Sequence, residues 1–302
     1  MRRSRGIHEK VKRPLQRSLL RTLIEFWDAI LIINLFLVST FLFPYLDFEI
    51  QFSIYFALAC LIILFIVRRL VRIFGDNLHF MRAQIGWQAP KAAGRYIRRL
   101  FDEYATQFDE HLLVDLSYRA PNLVFSASED ILNETTPDIV DLGCGTGLCG
   151  PLFEPFAVSL VGVDLSPKML EQADLKGCYS DLVEADLIKF LQERPLSFDL
   201  AISADVLVYF GDLSDIFGAV YGALRPGGHF AFTVERSDTD RWQLQRNGRY
   251  THGRDYVERL AQGTGLEVVS VSEEILRLNF DEPVAGDAWL LKKSTGEITK
   301  DH

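Results

Sequence analysis

One short segment constrains this 302-residue chain more than any other: Asp138-Ile-Val-Asp-Leu-Gly-Cys-Gly-Thr-Gly-Leu148. An apolar, strand-like run reaches Asp141, then breaks into Gly143, Gly145 and Gly147, spaced two apart, before a helical pattern resumes. Glycines so placed let the backbone turn sharply and keep Cβ atoms out of a ligand's way. The helix N-terminus behind them offers unpaired N–H groups and the positive end of a dipole. The order strand, glycine turn, helix predicts a nucleotide-type cradle at the end of the first strand of a parallel sheet.

The pattern around this segment agrees. Strands are expected over 138–142, 158–163, 181–185, 198–203, 228–234, 266–276 and 286–292, and helices over 148–156, 167–175, 187–193, 213–224 and 253–263. Such alternation argues for an α/β fold, a doubly wound and mostly parallel seven-stranded sheet covered by helices. The domain is expected over 100–293, followed by a polar tail, 294–302.

The glycine spacing and three acids narrow the ligand. Dinucleotide dehydrogenases use G-x-G-x-x-G; here the third glycine comes one position early and Leu148 takes its place. Asp164 ends the second strand, where a carboxylate can accept both ribose hydroxyl protons. Asp186 ends the third strand, within reach of an adenine amino group, and Asp205 follows the fourth. Three carboxylates at successive strand ends suit a sugar, a base and a cationic group, and would repel a pyrophosphate or triphosphate. A P-loop is excluded as well, because Leu148 rather than Lys follows Gly147. The Cys144/Cys149 spacing does not match a zinc pattern, and no metal site is expected.

The front third has a different character. Residues 1–99 hold 16 Lys and Arg against 6 Asp and Glu, whereas residues 100–302 hold 16 against 35. The acidic body argues against nucleic-acid binding, since phosphates would be repelled. Ala29–Leu46 and Ile50–Val67 are each 18 residues without Asp, Glu, Lys or Arg, and a helix of that length spans roughly 27 Å, close to the hydrocarbon thickness. Only Asp47, Phe48 and Glu49 separate them. A transmembrane helical hairpin is expected, with spans about 27–46 and 50–67 inside a basic segment 1–75. Arginines and lysines flank both outer ends, so the positive-inside rule puts both in the cytoplasm. The expected location is the inner (cytoplasmic) membrane, multi-pass, with the body in the cytoplasm. A basic connector, 76–99, alternates apolar and basic residues at helical spacing, which suits equally an interfacial helix on an anionic leaflet and a solvated helix with a partly buried face.

DLGCGTG, GVDLS, ADVLVYF and LRPGGHFAFTVE together, in this order, resemble the ordered motifs of class I S-adenosylmethionine-dependent methyltransferases, over about residues 100–293. FDEYATQFDEHLLVDLSYRAP, VDLSPKML and GRYTHGRDYVERLA are similar to predicted bacterial methyltransferases often described with tetratricopeptide repeats. No such repeat precedes the domain here. The resemblance implies a Rossmann-like methyltransferase fold with S-adenosylmethionine as cofactor. Asp141, Gly143, Gly145 and Gly147 would line its methionine moiety, Asp164 and Leu165 would take the ribose, and Asp186 and Leu187 the adenine. Asp205 would lie near the amino acid end or the methyl group. Tyr104 and Phe108 would close over the cofactor.

A sulfonium donor is already electrophilic, so a general base is needed only if the acceptor must lose a proton early. Candidates are His252, Tyr250, Tyr209 and Glu235, while Arg119 could fix an acidic substrate. The expectation is a membrane-anchored methyltransferase acting on a small-molecule or lipid-like acceptor. The alternative is a non-catalytic, membrane-attached S-adenosylmethionine-binding or interaction protein. Neither the acceptor, the choice of O-, N- or C-methylation, nor the oligomeric state is legible.

Overall fold

The computed structural model describes residues 56, 59–60, 62–68, 78–105, 108–110, 117–279 and 282–294. The chain divides into two compact units, Met1–Gly75 and Asp76–His302. The first span expected of the hairpin lies outside the described residues, and so does part of the second. Among the described residues, no helix is long and apolar enough to cross a membrane.

The larger unit is built on strands β1 (Asp138–Leu142), β2 (Ser159–Asp164), β3 (Asp181–Glu184), β4 (Phe198–Ser203), β5 (Leu224–Ser237), β6 (Trp242–Leu244), β7 (Tyr250–Gly253), β8 (Leu266–Asn279) and β9 (Glu282–Lys293). Seven of them form the main sheet in the order β3-β2-β1-β4-β5-β9-β8. The first five are parallel, and β9 runs antiparallel between β5 and β8. The expected seven strands are therefore present, but the whole sheet has nine. β6 and β7 are the addition. Glu235 of β5 is the register partner of both Thr251 in β7 and Gly286 in β9. β7 thus continues along the side that β4 occupies earlier, beyond the end of β4, where the last pair is Ser203 with Phe232. The Asn247-Gly248 turn joins β6 to β7, with Gly248 at φ +83°, a conformation that glycine adopts without Cβ strain.

Helices α1 (Gly94–Tyr104), α2 (Ala120–Glu134), α3 (Gly150–Phe153), α4 (Pro167–Asp174), α5 (Leu187–Gln192), α6 (Ser214–Ala223) and α7 (Arg254–Thr264) accompany the sheet. Local chemistry fixes where several begin. Ser166 caps α4 by accepting from Met169 N (3.2 Å), with Pro167 in the first turn. Asp186 caps α5 through Ile188 N and Lys189 N, satisfying donors that have no intrahelical partner.

Alternation along the strands sorts the core into two layers. Ile139, Leu160, Leu200 and Ile202 pack with Val124 and Phe153 on one face. Val140, Leu142, Phe230, Phe232 and Trp289 pack with Phe217 and Val220 on the other. Phe232 stacks on Phe230 (4.5 Å between centroids) and on Trp289 (6.2 Å) and meets Phe217 edge-on.

The segment expected as a connector, 76–99, belongs to the compact unit instead. Its helical stretch 78–85 and the residues after it bury Ala83, Ala89 and Ala92. His79 Nε2 lies 2.8 Å from Gly248 O, and the Tyr250 hydroxyl donates to Ala89 O (2.7 Å). Long-range polar contacts of this kind were invisible to a local reading. Phe232→Ala is expected to lower the unfolding free energy of the larger unit by about 3–5 kcal/mol, read as a shift of the denaturant midpoint at unchanged slope.

Candidate functional site

A cavity of about 270 Å³ opens over the C-terminal ends of β1 to β4 and is lined by Asp141, Gly143, Gly145, Asp164, Leu165, Asp186, Leu187, Asp205 and Tyr209, among others. Crevices at the carboxyl ends of strands are where open α/β sheets bind ligands. The glycine turn forms the floor. Gly143, Gly145 and Gly147 all have positive φ (+73°, +55°, +83°), the region that favours glycine. Their roles differ. A Cβ on Gly143 would come within 2.5 Å of Val206. One on Gly145 would meet only Phe108, at 3.9 Å, so it would fill open cradle space. Gly147 does not line the cavity. A Cβ there would strike Tyr179 (2.9 Å) and Ala173 (3.1 Å), so this glycine makes room for packing rather than for a ligand, contrary to the expectation.

The acids also separate. Asp141 is 1% exposed and accepts a hydrogen bond from the Tyr179 hydroxyl (2.7 Å). Burial raises its pKa to about 7, against the pull of that hydrogen bond. Asp164 accepts from Gly145 N (3.0 Å) through one oxygen and from Ser166 N (2.8 Å) through the other. The Leu165 N–H also acts on this carboxylate; with about four acceptor sites, it retains capacity for a ribose hydroxyl. Asp186 caps α5 with Oδ1, while Oδ2 faces Lys91 Nζ at 3.8 Å. Capping and cavity lining coexist in this one side chain.

Asp205 is the acid whose surroundings depart from expectation. It sits at φ +60°, a left-handed conformation in which Asp is tolerated better than most side chains. Its N–H donates to the buried Thr233 hydroxyl (2.9 Å). Its Oδ1 accepts from Arg249 (2.5 Å) and Arg277 (3.1 Å), and Oε1 of buried Glu235 accepts from the same two arginines, each at 2.5 Å. Asp205 therefore belongs to a neutral quartet and is not an open charge aimed at a cation. Nothing in the local sequence couples these residues; Arg277 is 72 positions from Asp205. The Asn247-Gly248 pair is the one local signal of a hairpin that could have placed the adjoining Arg249 at the sheet's end.

The residues considered as bases fare unequally. Tyr209 lines the cavity and accepts from Arg249 Nη1 (3.2 Å). Burial pushes its phenol upward, so at neutral pH it keeps its proton and does not serve as a base. His252 is fully buried outside the lining, with Nε2 2.9 Å from Phe210 O and 3.2 Å from Gly211 O. Burial lowers its pKa to about 4. A neutral ring facing two carbonyls holds the loop in place and does not reach the cavity. Tyr250 is likewise buried against Ala89 and Trp242, away from the lining. Arg119 forms a surface ion pair with Glu274 (3.7 Å).

α1 and Phe108–Glu110 roof the cavity with Phe101, Tyr104 and Phe108, whose rings meet edge-on. Polar ties fasten the roof to the cradle loops. The Asp102 carboxylate accepts from the Ser166 hydroxyl (2.6 Å), and Arg98 pairs with Glu184 (2.8 Å). Asp109 accepts from the Thr146 hydroxyl and from Lys176 Nζ (2.7 Å).

Comparison with known proteins agrees with this geometry. Residues 140–232 match the family model described as a methyltransferase domain. The chain is similar to a malonyl-[acyl-carrier protein] O-methyltransferase of Pseudescherichia vulneris, 28% identical over 63% of this chain and 76% of the relative. It is similar to nodulation protein S of Rhizobium tropici, 29% identical over 48% and 64%. The domain match and these relatives support a methyltransferase of the class I S-adenosylmethionine-dependent superfamily.

The fold agrees. The structure resembles the Burkholderia thailandensis 1,6-didemethyltoxoflavin-N1-methyltransferase solved with S-adenosylhomocysteine (TM-score 0.54, 18% identity, 69% of this chain and 94% of that one). It also resembles NodS from Bradyrhizobium japonicum with the same ligand (TM-score 0.53, 19% identity, 65% and 97%). The cofactor of this methyltransferase is S-adenosylmethionine, and the cavity fits it: Gly145 leaves a Cβ-sized recess, the Asp164 and Asp186 carboxylates stand at successive strand ends, and Leu165 and Leu187 supply apolar walls.

Asp141 gives this site a pH signature. Its folded pKa, about 7, lies above the ordinary 3.8. The folded form therefore retains a proton that the unfolded chain has lost. Its contribution is most favourable below the ordinary value and is lost as pH rises through the folded one. Apoprotein stability should decline across that window, and Asp141→Asn should flatten the decline, measured by chemical denaturation at several pH values.

Proposed function

We propose that this methyltransferase acts on a small-molecule or lipid-like acceptor at the cytoplasmic face of the inner membrane. The observation that carries the methyl-transfer part is the divided cavity. One half, under β1, β2 and β3, offers the glycine recess and the strand-end acids, and the other holds the quartet around Asp205.

S-adenosylmethionine supplies an electrophilic methyl group when bound. The chain's task is alignment and exclusion of water. Gly145 leaves the space, Asp164 orients the ribose, and Asp186 with Leu187 takes the base. The roof of Phe101, Tyr104 and Phe108 keeps solvent from the reacting centre and lays apolar surface against the acceptor. Tyr209, protonated and bonded to Arg249, can donate a hydrogen bond to the acceptor. Among the described residues, the acids near the quartet are held by arginines, which suits an acceptor that arrives already nucleophilic.

Two observations favour the membrane. Residues 1–75 combine long apolar runs with flanking cations. In the larger unit, Leu78, Met81, Ile85 and Trp87 are exposed beside Arg82, which stacks over Trp87 at 5.2 Å. Apolar and aromatic side chains beside a cation match an interfacial surface on an anionic leaflet.

Calorimetric titration of the full chain should show binding of S-adenosylmethionine and none of NADH; absence of the former removes the enzyme reading. Labelled donor added to a membrane extract should then label an extractable small molecule or lipid. Binding without transfer to any acceptor would favour the non-catalytic alternative. Deleting residues 1–75 should release the protein from membranes, and a truncated protein that sediments with them as before would refute the anchor.

A further inference from the structure

The acceptor half of the cavity carries more hydrogen-bond donors than its own acids consume. A guanidinium has five N–H groups in a planar fork. Arg277 uses one N–H from each terminal nitrogen, to Asp205 Oδ1 and Glu235 Oε1. Arg249 uses three, to Glu235, Asp205 and the Tyr209 oxygen. Both carboxylates take both arginines through a single oxygen each. Arg277 is 6% exposed and lines the cavity together with Arg249. A buried ionic cluster is seldom retained for stability alone, since well-packed apolar side chains usually do as well or better. This cluster stands on the wall of a cavity, with donors in excess.

We propose that the methyl acceptor carries an oxyanion, a carboxylate or a phosphate, seated on the spare N–H groups of Arg277 and Arg249; this rests on the methyl-transfer reading. The planar fork presents parallel donors at the spacing of two anionic oxygens. Asp205 and Glu235 hold both guanidinium groups in place before the ligand arrives, so little side-chain entropy is lost on binding. The apolar roof, with Ile97, Leu100 and Phe101, receives the rest of the molecule. The acceptor is thus an amphiphile, charged at the end on the quartet and apolar where it passes under α1. A cationic acceptor would have to use Asp205 Oδ2 and Glu235 Oε2 against two adjoining guanidinium groups, which the donor excess disfavours.

The test uses the full-length protein saturated with S-adenosylhomocysteine and titrated by calorimetry with benzoate, inorganic phosphate, neutral benzamide and cationic benzamidine. Benzoate or phosphate should bind at least about tenfold more tightly than benzamide. Preference for benzoate assigns a carboxylate, and preference for phosphate a phosphate. Arg277→Gln should abolish that preference while S-adenosylhomocysteine still binds. Should Arg277→Gln not fold, Arg277→Lys, which retains the charge and loses the fork, should show a reduced preference. Benzamide or benzamidine binding as tightly as both anions overturns the proposal. So does a preference unaltered in both variants. Failure of wild-type protein to bind S-adenosylhomocysteine is a separate result: it overturns the methyl-transfer reading itself.

Discussion

The site depends on a contact between two buried side chains, the Tyr179 hydroxyl and the Asp141 carboxylate, 2.7 Å apart. Asp141 is buried near the end of the first strand, where a lone carboxylate would be costly. Tyr179 supplies the hydrogen bond, but its ring needs space. Three glycines provide it: a Cβ on Gly147, Gly150 or Gly162 would approach that ring within about 3 Å, at 2.9, 3.0 and 2.9 Å respectively. Part of what reads as a ligand-binding glycine motif is therefore the socket of one tyrosine. The remaining glycines, Gly143 and Gly145, shape the turn and the recess.

From that anchor the site divides into an acidic half and a neutral half. Asp164 and Asp186 are held by backbone N–H groups, which fixes their carboxylates while leaving acceptor capacity for a ligand. Asp205 and Glu235 are held by two arginines. Backbone donors leave a carboxylate its full charge; guanidinium partners offset it. The same residue type at successive strand ends thus serves opposite purposes. The roof crosses both halves and is tied down mainly near the cofactor half, through Asp102, Asp109 and Arg98.

What was legible in the chain follows from the range of each interaction. The central strands β1, β4 and β5 were readable because burial leaves apolar runs, and α4 and α5 because Ser166 and Asp186 are local caps. The β6–β7 hairpin was missed: its strands are three and four residues long, too short for a periodic signal, although Asn247-Gly248 marked the turn. Arg249 and Arg277 were missed because their partners lie 14 to 72 positions away. His252 attracted notice as a titratable group beyond the fifth strand, but its position in β7 turns it onto the carbonyls of Phe210 and Gly211. Residues 76–99 read as a connector because their amphipathic pattern is equally that of a helix packed on a domain, and it is the contacts of His79 and Ala89 with the hairpin that decide between the two.

The most direct test of the central claim is a structure of the full chain bound to S-adenosylhomocysteine. The account predicts ribose hydroxyls within hydrogen-bond distance of Asp164, the amino acid end above Gly143 and Gly145, no ligand contact to Gly147, and the sulfur facing the Asp205–Arg249–Arg277 cluster. A ribose away from Asp164, or a sulfur turned from that cluster, would contradict it.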